Sequence, residues 1–295
     1  MDRQTSMTPT DSNVRLNKNK KITAFVHIEK AAGTTLNHIL RHNFFLRYID
    51  VRPFFKESKG LFLPKDLEVA KRVLPGLSCI SGHSVTASST LYDLHPNIQF
   101  VTMLRDPIKR YISQYQHRVE QKGLRLNFEE FLDVEEYKDF QTKKYAGENN
   151  LEKAKEILTN RFLLVGYLEA YDEFLVLLKK VLNNINFNPN YSHRNRTKNQ
   201  SAMKDFANIH MERVIENNAN DIALYKYVTE ELYPNYIAEY GVNFEKDFEE
   251  FKTNLQTNKP PIVKRYIDYI LRIVYIKPVT GIIRLANGKP YKGSY

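Results

Sequence analysis

Three short apolar runs are separated by stretches with helical spacing in the first two thirds of the chain. Residues 22–28 and 98–104 are apolar and rich in β-branched side chains, which predicts buried strands. Residues 162–166 predict a third strand. After each of these runs, apolar residues recur at intervals of three and four, as on one face of a helix. The pattern therefore predicts strands that alternate with helices.

The predicted helices begin after the small-residue turn at 31–35, where Leu36, Ile39, Leu40 and Phe44 form one stripe. Further helices are predicted over 107–121, 127–137, 152–159, 171–182 and 221–232, with a polar linker at 183–190. Strands alternating with helices are typical of a mostly parallel sheet covered on both faces, so the predicted fold class is α/β. In such sheets ligands bind where strand carboxyl ends meet helix N-termini.

The positive charge of the chain is concentrated at its two ends. The 295 residues carry 44 Lys and Arg and 34 Asp and Glu, a net charge of +10. Residues 1–21 contribute +3 and residues 259–295 contribute +7, so the body is near neutral. We predict a disordered basic arm at 1–21, one domain at 22–258 and a basic, apolar C-terminal extension at 259–295. Because a nucleic-acid binder usually spreads a basic face over its body, we expect no nucleic-acid partner.

Composition excludes several other classes of protein. Hydrophobic residues make up 42% of the chain and aromatic residues 12%, which excludes wholesale disorder. No stretch of about 18 uncharged apolar residues predicts a spanning helix, and the polar start of the chain predicts no signal peptide. The single cysteine, Cys79, fits a reducing compartment. We expect a cytoplasmic protein, or a Golgi-lumen protein if the chain is an excised domain.

The C-terminal segment 262–276 mixes apolar residues with cations. This pattern is compatible with a terminal helix packed on the domain or on a second subunit. It is also compatible with a basic amphipathic helix on a membrane surface. The sequence leaves open whether this segment contacts the domain, a second subunit or a membrane. It also leaves the oligomeric state open.

The first strand–turn–helix unit has the features of an anion site. Gly33 stands where a helix begins, and helix N-termini expose unpaired N–H groups and partial positive charge that suit phosphate. Thr34 and Thr35 add hydroxyl groups, and Lys30 stands at the head of the turn. An ordinary turn with a capping threonine has the same pattern. The turn is not a Walker A loop, which needs a lysine after its second glycine.

A second cluster of basic residues follows the strand at 98–104. Arg105 leaves the strand end, Pro107 fits a first helical turn, and Ser113 lies two turns further on. An arginine fork and a serine hydroxyl are suitable ligands for a phosphate. The alternative is a structural helix pair between Asp106 and Arg110.

These two segments carry a resemblance to a known family. Residues 25–36 (FVHIEKAAGTTL) resemble the 5′-phosphosulfate loop of sulfotransferases, and residues 101–115 (VTMLRDPIKRYISQY) resemble their 3′-phosphate motif. The resemblance is to the carbohydrate sulfotransferases, in particular the 2-O-sulfotransferase-like family that acts on heparan and uronyl residues. The resemblance covers about residues 22–235 and implies a P-loop-like parallel β-sheet with helices on both faces and a helical C-terminal extension.

The resemblance implies a donor, 3′-phosphoadenosine 5′-phosphosulfate (PAPS), no metal, and a carbohydrate or glycoconjugate acceptor. Lys30 would contact the leaving phosphate as a catalytic residue. The other implied nucleotide contacts are Ala32, Gly33, Thr34, Thr35, Arg105 and Ser113, together with Arg196 and Thr197 of a later loop. Glu29 departs from the family, which usually has proline there. A carboxylate beside a phosphosulfate must point away or pair with Lys30.

The acceptor hydroxyl needs a base, and histidine titrates near neutrality. His83 follows Gly82 in a segment that resembles the base-supplying Gly-His segment of the family, so we predict that His83 is the base. Glu29 and His27 are alternative bases. Lys143 and Lys144 lie in a stretch, 139–147, that resembles the acceptor side and are predicted either to meet an acidic sugar or to be solvated.

Two other functions remain open at this point. One is a P-loop-type kinase that uses ATP, although the Walker lysine is absent. The other is a non-enzymatic module that binds polyanions or a membrane surface through the basic C-terminal extension.

Overall fold

The computed structural model describes residues 21–183, 187–189, 191, 209–255 and 262–288. Within these residues five parallel strands form one sheet in the order β2-β3-β1-β4-β5. The strands are β1 Ile22–Val26, β2 Tyr48–Asp50, β3 Cys79–Gly82, β4 Ile98–Leu104 and β5 Phe162–Tyr167.

Helices connect and cover these strands. In the first half of the chain they are α1 Gly33–Asn43, α2 Pro64–Val73, α3 Thr90–Leu94, α4 Pro107–Lys122, α5 Phe128–Leu132 and α6 Phe140–Ala146. In the second half they are α7 Leu151–Arg161, α8 Tyr171–Val181, α9 Met211–Glu216, α10 Ala219–Tyr227, α11 Tyr233–Tyr240, α12 Phe244–Leu255, α13 Ile262–Ile270 and α14 Lys277–Ala286. Short π-helical segments, Val228–Leu232 and Leu271–Ile276, follow α10 and α13.

Each face of the sheet has its own apolar core. Because successive strand residues point to opposite faces, Ala24 and Val26 of β1 pack with α2, α3 and α7, whereas Phe25 packs with α1 and α8. Burial on both faces explains why the strands have continuous apolar sequences. The predicted α/β class, with helices on both faces and at the C-terminal end, is confirmed.

The central position of β1 determines where the site forms. β1 pairs with β3 on one side and with β4 on the other, and all three run in the same direction. Their carboxyl ends therefore meet at one edge of the sheet, which is where ligands bind in folds of this class. The residues that follow these ends include Lys30, His83 and Arg105.

The sequence patterns predicted the long elements better than the short ones. β4 has the predicted bounds, and β1 ends two residues earlier than predicted, at Val26. The predicted helix 127–137 is two short pieces separated by a turn. β2 and β3 were not predicted, because three or four residues are too few to show a period.

The C-terminal helices pack against the domain along one side. Ile276 is buried in the same core as α2, and the hydroxyl of Tyr275 donates to the Val73 carbonyl at 3.1 Å. Asp268 lies 3.7 Å from Arg41. Outward-facing side chains on these helices remain exposed. None of the helices in the described ranges is both long enough and apolar enough to span a bilayer.

Asp221 of α10 is hydrogen-bonded to the start of α6. Its buried carboxylate accepts backbone N–H groups of Gln141 at 3.0 Å and Thr142 at 2.7 Å, in the first turn of α6. The guanidinium of Arg110 lies over the Phe140 ring in the same turn, 4.7 Å from its centroid. The Asp221 carboxylate therefore fixes the start of α6.

We expect Asp221→Asn to lower the free energy of unfolding by about 1–3 kcal/mol, because the new amide NH₂ leaves a buried N–H donor without an acceptor. Urea unfolding followed by circular dichroism measures this loss. The matched control is Glu152→Gln on an exposed pair with Lys155, expected to change stability by less than about 0.5 kcal/mol. Equal losses in the two variants would contradict the assignment.

Candidate active site

The turn between β1 and α1 has an unusual backbone. φ is 68° at Lys30 and 56° at Ala32, in the left-handed region that costs a residue with a side chain roughly 1–2 kcal/mol. Among the described residues, no side chain caps the N-terminus of α1, and its first turn has no acidic residue. The first N–H groups of α1 and the positive end of its dipole are therefore suited to an anion.

Arg105 connects this turn to the end of β4. Its Nη1 donates to the Lys30 carbonyl at 2.9 Å. Its backbone N–H and carbonyl are both bonded, at 3.0 Å each, to the side-chain amide of Gln141. Arg105 Nε is buried and has no hydrogen-bond partner among the described residues. The two sequence motifs are thus in direct contact, and a buried donor of Arg105 remains for a ligand.

The other predicted nucleotide contacts take different positions. Thr34 is exposed and Thr35 is half-buried in the first turn of α1, whereas Ser113 is buried on α4. Asp106 caps α4 by accepting the Lys109 N–H at 2.8 Å, so it does not form the helix pair with Arg110 that was the structural alternative. Arg196 and Thr197 lie outside the described residues.

Glu29 points toward α4. Gln114 Nε2 donates to its carboxylate at 2.6 Å, and the Arg118 guanidinium lies 3.5 Å away. Burial favours the neutral acid, but the hydrogen bond from Gln114 and the charge of Arg118 outweigh burial and lower the pKa of Glu29. Glu29 is therefore a weak base engaged with α4, and its carboxylate does not depend on Lys30 for a partner.

His83 and His27 form a stacked pair, with ring centroids 4.1 Å apart. His83 Nδ1 lies 3.0 Å from the His27 carbonyl oxygen. A carbonyl only accepts, so Nδ1 carries the proton and donates it, and in the neutral ring Nε2 has the free lone pair. This is the tautomer that a general base needs, with its accepting nitrogen fixed by the backbone.

The surroundings of the pair keep both rings neutral. Partial removal from water lowers the pKa of His83, although Glu29 and the hydrogen bond to His27 oppose this effect; Lys144 and Arg52 lower it further. Burial, His83 and Lys144 together lower the pKa of His27 to about 3. A base that weak is unsuited to abstract a hydroxyl proton at neutral pH, so His83 is the better candidate base of the two.

Two glycines allow these groups to approach one another. A Cβ on Gly33 would lie 1.8 Å from Nε2 of His27, so the His27 ring can pack against the start of α1 only because Gly33 has no side chain. A Cβ on Gly82 would lie 2.4 Å from the Val51 carbonyl oxygen. In the structure, Gly33 makes room for the His27 ring.

The two neighbouring lysines of α6 have different partners. Lys143 Nζ donates to the Glu135 carboxylate at 2.7 Å, on the surface. Lys144 Nζ donates to the His83 carbonyl at 2.5 Å. Burial lowers the pKa of Lys144 to about 8, and Glu29 opposes that shift. Sequence reasoning treated the two lysines alike and did not single out Gln141; only tertiary contacts distinguish them.

Comparison with known proteins identifies the family of the chain. A family model described as the sulfotransferase family matches residues 12–228, about three quarters of the chain. The chain belongs to the sulfotransferase family. It is also similar to the crystal structure of a sulfotransferase from Alicyclobacillus acidocaldarius, with 16% identity and a TM-score of 0.41 over 69% of this chain and 96% of that one. No curated protein matches it significantly.

Membership of this family makes the chain a transferase of sulfuryl groups. Three candidate residues lie in turns that follow parallel strands: Lys30 after β1, His83 after β3 and Arg105 after β4. Within the described residues no group of three His, Cys, Asp or Glu side chains is arranged to hold a metal ion.

In this sulfotransferase we expect Lys144→Met to raise the pKa of His83, because it removes a positive charge that disfavours the imidazolium. Imidazole ¹⁵N NMR titration measures this pKa directly. Lys143→Met removes the same charge from the adjacent residue, which faces Glu135, and is expected to leave His83 unchanged. A lowered His83 pKa in Lys144→Met, or equal shifts in both variants, would contradict the assignment.

Proposed function

We propose that this sulfotransferase transfers a sulfuryl group from PAPS to a hydroxyl of a carbohydrate or glycoconjugate acceptor. The observation that carries the proposal is the hydrogen bond from Arg105 to the Lys30 carbonyl, with His83 on the neighbouring turn. This contact places the two segments that resemble the 5′- and 3′-phosphate motifs side by side. The resemblance to the 2-O-sulfotransferase-like family supports the carbohydrate acceptor.

The residues that follow β1 and β4 suit a donor with phosphates at both the 3′ and the 5′ position of its ribose. The uncapped first turn of α1, from Gly33 to Thr35, would hold the 5′-phosphate. Arg105, whose buried Nε lacks a partner among the described residues, and Ser113 of α4 would hold the 3′-phosphate. PAPS supplies the sulfuryl group and departs as 3′-phosphoadenosine 5′-phosphate (PAP).

The side chains divide the chemistry between a base and a charge stabiliser. Nε2 of His83 accepts the proton of the acceptor hydroxyl as its oxygen bonds to sulfur. The bond between sulfur and the phosphate oxygen breaks, and negative charge moves to that oxygen. Lys30 and the N–H groups of α1 stabilise this charge, in the manner of preorganised donors in other transferases. Lys144, bonded to the His83 carbonyl, holds the turn that carries the base.

Nucleotide selectivity distinguishes this proposal from a kinase and from a non-enzymatic polyanion-binding module. We expect PAP to raise the melting temperature of the protein more than adenosine 5′-phosphate or ATP does, because only PAP has a 3′-phosphate for Arg105 and Ser113. In Ser113→Ala the preference for PAP over adenosine 5′-phosphate should fall about tenfold, which corresponds to the loss of one good hydrogen bond. Stabilisation by ATP and not by PAP would favour the kinase.

We expect His83→Ala to lower the sulfuryl-transfer rate by about 10²–10⁴-fold and Lys30→Ala to lower it by about 10²-fold or more. The assay follows radiolabelled sulfate from PAPS to a panel of glycan acceptors. His83→Ala should still bind PAP, because the imidazole touches the acceptor. His95→Ala, which removes a histidine near Glu68 outside the site, is the control. Undiminished turnover in His83→Ala would remove this residue from the mechanism.

The wild-type rate should fall as pH drops through the pKa of His83, since protonation removes the lone pair on Nε2. That pKa lies below the usual histidine value, so transfer should persist into mildly acidic solution.

A further inference from the structure

A cleft of about 480 Å³ opens beside His83, between the sheet edge and the C-terminal helices. This volume is within the range of small-molecule sites, roughly 300–1,000 Å³. One wall comes from the ends of β2 and β3 and from His27 and His83. The opposite wall comes from the C-terminal helical segment, residues 262–286, through Arg272, Ile276, Lys277, Thr280 and Arg284.

The charge of the cleft lining is strongly positive. Four cationic side chains line it: Arg52, Arg272, Lys277 and Arg284. The lining has one carboxylate, Asp50, which already binds Arg41 at 2.5 Å and the Tyr48 hydroxyl at 2.6 Å. Cations on both walls of a concave site focus a positive potential, which attracts an anionic ligand.

Several of these cations are held in place by contacts with the domain. Arg284 stacks over Phe54 at 5.1 Å and Nη2 donates to the Arg52 carbonyl at 3.4 Å, so its guanidinium is held against the domain. Arg272 lies 3.8 Å from the shared carboxylate of Asp50. In the described part of the chain no carboxylate lies within ion-pair distance of Arg52 or Lys277. Both side chains line the cleft.

The C-terminal wall also lies outside the segment that the sulfotransferase family model matches, which ends at residue 228. The nucleotide loops therefore belong to the shared part of the protein, whereas three of the four cleft cations come from an element that the family match does not cover. This division is typical of a common reaction centre combined with a chain-specific substrate site.

We propose that the C-terminal helical segment is part of the acceptor site, and that Lys277, Arg272 and Arg284, with Arg52 opposite, bind an anionic group of the acceptor. This inference rests on the proposed function. The acceptor class is a sugar with a carboxylate or sulfate ester near the hydroxyl that His83 deprotonates. The cations orient the acceptor, and they take no part in bond making.

The test measures binding of matched oligosaccharides to the PAP-saturated protein by isothermal titration calorimetry. The probes are cellotetraose, its C6-carboxylated form and its C6-sulfated form, which share a backbone and differ in charge. We expect at least tenfold tighter binding of an anionic form than of cellotetraose, and the better of the two identifies the preferred anion. In Lys277→Glu this advantage should fall at least tenfold.

The control variant is Lys264→Glu, which makes the same charge reversal on the same helical segment but outside the cleft, where Lys264 lies over Phe45. It should bind the anionic probes like the wild type. Point variants are used because removal of the segment would expose the core around Ile276. Circular dichroism and an unchanged PAP-induced thermal shift establish that Lys277→Glu is folded with an intact nucleotide site.

Three outcomes would overturn the inference: no preference for the anionic probes, equal loss in Lys264→Glu and Lys277→Glu, or no loss in Lys277→Glu. Failure of PAP to stabilise the wild-type protein would instead count against the proposed function. The nucleotide and glycan measurements therefore separate the two claims.

Discussion

The hydrogen bond between the Arg105 guanidinium and the Lys30 carbonyl connects the parts on which the site depends. It is possible because β1 and β4 are adjacent and parallel, so that the turns after them lie at one edge. A bond from a charged donor contributes about 1.5–3 kcal/mol, which is enough to offset the cost of a left-handed residue at Lys30. Behind it, Gln141 holds the Arg105 backbone and Asp221 holds the start of α6. The turn geometry therefore depends on a chain of contacts that ends in a distant helix.

The second constraint is electrostatic and concerns the histidine pair. His27 and His83 stack closely. Burial and Lys144 disfavour a positive charge on either ring, and His83 further disfavours one on His27. Glu29 favours a positive charge on His83, but its carboxylate is already paired with Gln114 and Arg118. The consequence is a neutral His83 whose tautomer is fixed by a backbone carbonyl. Gly33 is a condition for this arrangement, since any side chain there would displace the His27 ring.

The C-terminal helices form a wall of the cleft that the turns after β1 and β4 do not supply. Their inward residues close the cleft beside His83, and Ile276 anchors them in the core. In the proposed mechanism, a positive cleft next to a neutral histidine suits an acceptor with its own negative charge, because ion pairs would hold the acceptor while an uncharged nitrogen takes the proton. The sequence left open whether the basic C-terminal extension packs on the protein, contacts a membrane or binds a polyanion. In the structure, Arg272, Lys277 and Arg284 of this extension line the cleft.

The amino-acid sequence alone determined the α/β class, because long runs such as 98–104 and the apolar stripe of α1 show their periods without reference to neighbours. It also identified Lys30, Arg105 and His83 as candidate residues, because each lies in a short contiguous motif that resembles a known family. It did not show the short strands β2 and β3, the role of Gly33, or the difference between Lys143 and Lys144. Those features depend on contacts between residues far apart in the chain, such as Lys144 with His83 and Gly33 with His27. Tertiary structure decided them because distance, burial and the resulting pKa are properties of the packed chain, which no local pattern encodes.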